Sequence, residues 1–313
     1  MNKYLIQLML SKGIGDVSIK KILNYTFSNP NCTLKDLCLA PDKLINIIRC
    51  NENTINSVIS NSNKAQKLYD DICKQGIQII TEKDKDYPQK LIDTLGPSCP
   101  PVLFLHGNIA LLSSLSVGFC GSRKASNKGL EITSQCADIL VKNGISVVSG
   151  YASGVDMAAH SSALHNSGNT IFVLAEGILK YTRKKTIENL LSEKNHLFLS
   201  QFLPDSNWNV GNAMKRNSLI IGLSEVMILV ESGNSGGTFA AGNESLKRGT
   251  PLFVIDYANP EVSAEANPYF IKNGGLPIRG KNNIPNLDKV IYLTKSYKKV
   301  KCRDNFIAEQ LSL

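Results

Sequence analysis

Two rhythms of hydrophobic and polar positions divide the chain. Up to about residue 75, apolar residues recur at helical spacing: Tyr4, Leu5, Leu8 and Met9 make one stripe, and Val17, Ile19, Ile22 and Leu23 another. Gly13-Ile14-Gly15 interrupts them. Leu34–Leu39, Asp42–Ile48 and Lys64–Lys74 continue the helical series, while the Asn-rich stretch Asn51–Asn63 reads as turn-like or a weak helix. From Ile77 the apolar runs shorten and become β-branched. Strands are predicted at Ile77–Ile80, Val102–Leu105, Ser116–Cys120, Ser146–Val148, Thr170–Leu174, Leu197–Leu199, Glu225–Val230 and Pro251–Ile255. Amphipathic stretches lie between most of them, at Leu130–Val141, Val155–Leu164, Thr186–Glu193 and Gly237–Lys247.

Strands alternating with helices predict an α/β fold whose mostly parallel sheet carries helices on both faces. The change of rhythm divides the chain into a small all-α part, 1–75, and an α/β part, 76–280; residues 281–313 form a short basic C-terminal tail. In such sheets ligands collect beyond the carboxyl ends of the strands, so the loops leaving those ends are the places to look for chemistry.

Composition narrows the class. The chain has 313 residues, 42% hydrophobic and 19% charged, as in soluble globular proteins, which excludes a disordered or collagen-like chain. The longest strongly apolar runs, such as Val226–Val230, are strand-sized, so no membrane span is expected. Lys3 followed by the apolar run Tyr4–Leu10 imitates a signal peptide, but no small-x-small cleavage site follows and the run reads as a helix. Eight cysteines are scattered without a C-x-x-C pair, so neither a disulfide framework, a zinc site nor any other metal or cofactor is indicated, and the expected compartment is the reducing cytoplasm. The net charge of +9, from 35 Lys+Arg against 26 Asp+Glu, is densest at Lys298-Lys299-Val300-Lys301-Cys302-Arg303. It means a solvated surface or a polyanionic partner.

Four strand-end segments carry candidate chemistry. Gly121-Ser122-Arg123 follows Ser116–Cys120; a helix starting near Ser126 would aim free N–H groups at an anion beside the Arg123 fork, or the segment is a turn with a surface arginine. Ser149-Gly150-Tyr151-Ala152-Ser153-Gly154 is a small-residue turn suited to close backbone approach. It is neither G-x-G-x-x-G nor the nucleophile elbow G-x-S-x-G. Asp156 and His160 follow it at i and i+4, as an acid–base pair or, more simply, as structural hydrogen bonds pinning the loop. Lys215-Arg216-Asn217 leads into an apolar helix, as a solvated helix start or as phosphate contacts. Ser235-Gly236-Gly237-Thr238 would form the turn and first N–H groups of another helix. Tyr151, Trp208 and Phe239 are the aromatic candidates for base stacking, with core packing the simpler role for each.

Taken in order, these segments resemble the DNA-processing protein A family (DprA, also called Smf). The matching residues are Gly121-Ser122-Arg123; Ser149-Gly150-x-Ala152-x-Gly154-x-Asp156-x-x-Ala159-His160; Arg216-Asn217 with Gly222-Leu223-Ser224; and Glu231 with Ser235-Gly236 and Ala241. Upstream, Asp86-Tyr87-Pro88-x-x-Leu91 and Val102-Leu103-Phe104-x-x-Gly107 fit the family's entry into its sheet. The resemblance implies an extended Rossmann-like domain preceded by a small helical domain. It implies a non-enzymatic protein, a homodimer that binds single-stranded DNA, protects it and helps load a RecA-type recombinase during natural transformation. Carried over by motif, the DNA groove would involve Gly121, Ser122, Arg123, Ser149, Gly150, Gly154, Lys215, Arg216, Asn217, Ser235, Gly236 and Gly237. The chain departs from the family at Ala213-Met214-Lys215-Arg216-Asn217-Ser218, which lacks the usual proline and second arginine. Residues 281–313 are too short for the winged-helix domain of many members. Lys12-Gly13-Ile14-Gly15-Asp16 looks like a helix–hairpin–helix turn, able to offer N–H groups to a phosphate or simply to close a helical bundle.

A rival reading is enzymatic. Ser235-Gly236-Gly237-Thr238 followed by Glu244 faintly resembles the glycine-rich motif of the lonely-guy nucleotide phosphoribohydrolases, in which Glu244 would be catalytic. A third reading is a nucleotide sensor that keeps the fold without DNA binding.

Overall fold

The computed structural model describes residues 2–281 and 284–296. Six helices come first: α1 (Asn2–Leu10), α2 (Asp16–Ser28), α3 (Leu34–Leu39), α4 (Lys43–Ile48), α5 (Glu52–Ser60) and α6 (Ser62–Lys74). The Asn-rich stretch is therefore two helices, α5 and the start of α6, rather than a turn. Asn51 caps α5 by accepting from the Thr54 N–H, and Ile55 and Val58 give the helix a buried stripe.

The strands are β1 (Gln78–Thr81), β2 (Val102–Gly107), β3 (Ser116–Cys120), β4 (Ser146–Ser149), β5 (Thr170–Val173), β6 (His196–Ser200), β7 (Val226–Leu229), β8 (Leu252–Ile255) and β9 (Leu276–Ile278). They form one sheet in the order β1-β2-β6-β5-β4-β3-β7-β8-β9. From β6 to β9 every pairing is parallel, while β1 and β2 join antiparallel at one edge, with Phe104 opposite Ser200. Strand order reverses between β3 and β7, and that reversal leaves a crevice beyond their carboxyl ends.

Helices α7 (Gln89–Leu95), α8 (Asn127–Lys142), α9 (Val155–His165), α10 (Lys185–Glu188), α11 (Val210–Leu223), α12 (Gly236–Lys247) and α13 (Asn267–Lys272) cover both faces. One face of the sheet buries Met227 and Leu229 against Leu91, Leu219, Ala241 and Phe270 of α7, α11, α12 and α13. The opposite face buries Val117, Phe119 and Ile228 against Cys136, Leu140 and Ala159 of α8 and α9. A third cluster joins Leu5, Ile22, Leu37 and Ile72 of the N-terminal helices to Phe104, Phe172 and Phe198 of the sheet. The fold is α/β and Rossmann-like.

Several boundaries differ from those predicted. Helix α11 starts at Val210, capped by Asn209, so Lys215, Arg216 and Asn217 lie well inside it rather than at its start. Of Thr186–Glu193 only residues 186–188 are helical, as part of α10. Within 281–313, residues 288–296 are helical, and Val290 is buried beside Leu287 in the cluster on one face of the sheet. The run Lys298–Arg303 lies outside the described residues.

Candidate functional site

Loops from β3, β4 and β7 converge at the crevice with the first half of α11. They line a main cleft of about 380 Å³ that includes Gly121, Ser122, Arg123, Ala152, Arg216, Asn217 and Gly237. A side cleft of about 280 Å³ adjoins it and shares Arg123, Ala152, Trp208 and Arg216. Its other walls include Tyr151, Glu176 and Lys184.

The β3 turn is tightly held. The Ser122 N–H donates to the Glu231 carbonyl at 3.0 Å, and the Ser122 hydroxyl accepts from the Lys124 N–H at 3.0 Å. Gly121 has no room for a side chain, because a Cβ would stand 2.4 Å from Val155 Cγ2. Arg123 is exposed, with its guanidinium carbon 5.4 Å from the Trp208 ring centroid. The anion expected at the start of α8 is already present as Glu231. This buried carboxylate accepts from the Ser126 N–H at 2.9 Å and from the Ser126 hydroxyl. Ser126 in turn caps Gly129. Glu231 thus supplies the α8 N-terminus with an anion from within the protein.

The β4 loop is pinned from two sides. Ser149 is fully buried, with its hydroxyl 2.7 Å from Asp156 Oδ1 and 2.9 Å from the Phe119 carbonyl oxygen. It supports the loop and offers nothing to the cleft. Asp156 Oδ2 accepts from the Ala152 N–H at 3.1 Å. His160 Nε2 donates to the Gly150 carbonyl at 2.7 Å, and its Nδ1 lies 2.6 Å from Thr170 Oγ1. Burial pulls the His160 imidazole down to about 4, so it is neutral near pH 7. Asp156 and His160 hold the loop separately and make no contact as an acid–base pair.

The glycines of this loop serve the protein's own packing. A Cβ on Gly150 would lie 1.6 Å from Arg216 Nη1. Gly154, at φ +76°, brings its Cα within reach of the Ser122 carbonyl, which a Cβ would meet at 2.3 Å. Neither glycine lines the clefts; Ala152 and Ser153 do.

Adjacent cations on α11 point to different places. Arg216 is 6% exposed, with Nη1 3.9 Å from Asp156 Oδ2, and it borders both clefts. Its Nε is buried without a hydrogen-bond partner. Burial lowers the guanidinium's proton affinity, and Asp156 and Glu176 offset that. Lys215 faces away from the main cleft and forms a 2.6 Å ion pair with Asp16. It borders a separate depression of about 500 Å³ between the N-terminal helices and the β6–α11 loop. The hairpin before α2 therefore meets Lys215 through its own carboxylate, and Gly13, at φ +89°, packs on Thr54 of α5. Asn217 Nδ2 donates to the Gly237 carbonyl at 3.1 Å, tying α11 to the β7 loop.

The β7 loop presents the open helix start. Ser235 is the N-cap of α12 but makes no side-chain capping bond, and Gly236 adopts φ +88°. Ser235, Gly237 and Thr238 line the main cleft.

Two site features give no signal in sequence, and a third, Trp208, reads there as a stacking candidate with core packing the simpler role. Trp208 stands 47% exposed at the cleft rim, not in the core. Lys184 Nζ donates to the Tyr151 carbonyl at 2.8 Å and lies 4.5 Å from that ring's centroid, and burial holds it below the usual lysine range. Glu176 brings a carboxylate to the side cleft. The basic run Arg183-Lys184-Lys185 gives no signal for which of its cations turns inward, and a loop Glu gives none for Glu176. Tyr151 and Phe239 pack against Phe172 and Phe270, as core packing predicted. Glu244 accepts from Ser218 and Arg248 and borders neither cleft.

Residues 78–287 match the family model of the DNA recombination-mediator protein A. Protein Smf of Synechocystis is 31% identical over 214 residues, covering 66% of this chain and 53% of its own length. The DNA processing protein DprA of Bacillus subtilis is 30% identical over 186 residues, 58% of this chain and 61% of its own. The chain thus spans between half and two thirds of the length of these relatives. The X-ray structure of DprA from Streptococcus pneumoniae superposes with a TM-score of 0.74 over 91% of this chain and 97% of its own, at 23% identity. DNA processing protein A from Helicobacter pylori, which has a unique single-stranded DNA binding mode, superposes with a TM-score of 0.57 over 69% and 94%, at 28% identity. With the helix-covered sheet, its strand-order reversal and the family model running through both, the chain belongs to the DNA recombination-mediator protein A family.

Proposed function

We propose that the chain binds single-stranded DNA through its phosphates along the two joined clefts. The observation that carries this is Arg216: a buried guanidinium with an unpartnered Nε that borders both clefts where they adjoin. Arg123 and the uncapped start of α12 flank it within the main cleft. A fixed fork, a swinging fork and a helix N-terminus suit an extended polyanion read without sequence. The contact set is Ser122, Arg123, Arg216 and Asn217 with the backbone of Ser235–Gly237. Gly121 and Asp156 border the main cleft, and Ser149, Gly150, Gly154 and His160 shape it from behind.

The protein acts by binding and not by bond chemistry. Asp156, at the wall of the main cleft, and His160 behind it are spent on the loop, and Glu244 on Ser218 and Arg248. The Helicobacter pylori relative binds single-stranded DNA. We extend the same reading to protection of incoming DNA and loading of a RecA-type recombinase in natural transformation, by a homodimer in the cytoplasm.

Titration with a labelled oligothymidylate tests the core of this. Affinity is expected to fall with salt by about 0.7 log units per decade for each phosphate neutralised. Arg123→Ala is expected to lower that slope by one phosphate's worth. A flat salt response, or no binding at low salt, overturns it.

A further inference from the structure

Trp208 is the chain's single tryptophan, and it is not used by the core. It precedes Asn209, the cap of α11, and is 47% exposed. Its side chain borders the main cleft, the side cleft and the interdomain depression together, so it stands where all three meet. Arg123 lies against its ring, and Val210 and Met214 of the first turns of α11 are exposed beside it. Arg216 and Lys184 line the same clefts.

A groove that held phosphates alone would need no indole. An exposed indole beside a guanidinium matches a nucleotide unit: the flat base offers a π-face to the ring, and the adjoining phosphate an acceptor to the fork. Bases in a duplex are stacked on each other and cannot offer that face.

We propose that Trp208, with Arg123, is a base-stacking platform that makes the clefts select unpaired bases as well as phosphates. This rests on the phosphate-binding reading above and adds the nucleobase as a second recognised group. Loss of the indole removes base recognition and leaves the number of phosphate contacts unchanged.

Since Trp208 is the only tryptophan, its fluorescence reports the platform directly. The probes are a 15-mer oligothymidylate and a 15-mer of abasic sugar-phosphate with the same charge. The first is expected to quench the fluorescence and the second to bind more weakly without quenching. By anisotropy of labelled probes, Trp208→Ala is expected to weaken oligothymidylate binding about tenfold, with an unchanged salt slope and no effect on the abasic probe. Trp208→Phe is expected to recover most of the loss. Equal oligothymidylate affinity in Trp208→Ala and the unaltered chain overturns the platform while leaving phosphate binding intact. So does conversion of a dimer to a monomer by Trp208→Ala at unchanged affinity, which would assign the patch to contact between copies. No binding of either probe at low salt overturns the phosphate reading, and the platform with it.

Discussion

Helices α8 and α12 begin side by side, after β3 and β7, and each opens toward the same crevice. Their N-termini have opposite fates. At α8 the buried Glu231 carboxylate, reaching from the end of β7, takes the Ser126 N–H and hydroxyl. At α12 the cap residue Ser235 makes no side-chain bond, and the helix start lines the main cleft. The positive end of a helix favours an anion in either case. At α8 the protein itself supplies that anion, and at α12 we propose that a phosphate of the ligand does. A glycine turn before a helix is therefore not enough to mark a binding site; the nearest buried carboxylate decides.

Removing the internal anion is the strongest way to break this contrast. Glu231→Ala leaves the Ser126 donors and the Tyr257 hydroxyl without their acceptor, and is expected to cost roughly 4 kcal/mol in chemical denaturation. A loss below about 1 kcal/mol would mean that water replaces the carboxylate at the start of α8.

The β4 loop beside the crevice has a pH signature. The unfolded chain takes up a proton on His160 near the ordinary histidine value, whereas the folded chain does so only at about 4. Acid therefore favours unfolding, and stability falls as pH drops from about 6.5 to 4, by on the order of 3 kcal/mol. His160→Gln is expected to flatten that window, read by denaturant midpoints across pH. An unchanged slope would assign the acid sensitivity to other groups.

Giving α12 its own anion sharpens the comparison. Ser235→Asp should cap the helix and raise stability by about 0.5–1 kcal/mol, while lowering oligonucleotide affinity about tenfold. Stability and binding moving the same way would show that the α12 start does not meet phosphate.

The smallest effect is expected at Lys215. Its pair with Asp16 is half exposed on both sides, so Lys215→Ala should change stability by less than about 1 kcal/mol. Oligonucleotide affinity should stay within twofold, because the ammonium faces the interdomain depression. A tenfold loss would return Lys215 to the DNA contact set.

Local pattern carried the sheet. Eight strands are short β-branched runs bounded by turn residues, and burial on both faces makes such runs conspicuous. The ninth, Leu276-Pro277-Ile278, is a three-residue edge strand containing proline, which leaves no pattern to read. Helix α5 was obscured because its Asn-rich polar face outweighs two buried apolar residues. Within the site, the motif positions and the clustering of the loops were legible; the direction of each side chain was not. Lys215 and Arg216 are adjacent in sequence, and only the helix turn between them sends one to Asp16 and the other to Asp156. Trp208 was open between stacking and core packing, and its exposure, a tertiary property, excludes the core.

The shared cluster of Leu5, Ile22, Ile72 and the sheet phenylalanines Phe104, Phe172 and Phe198 bears on how this chain can be dissected. Within it Phe172 and Phe198 stack on each other and are enclosed by Tyr151, His160 and Tyr181, all of which follow β1. A fragment cut before β1, close to where the family match begins, therefore keeps this aromatic centre, and is expected to fold with the loss confined to the apolar margin that the leading helices share with it.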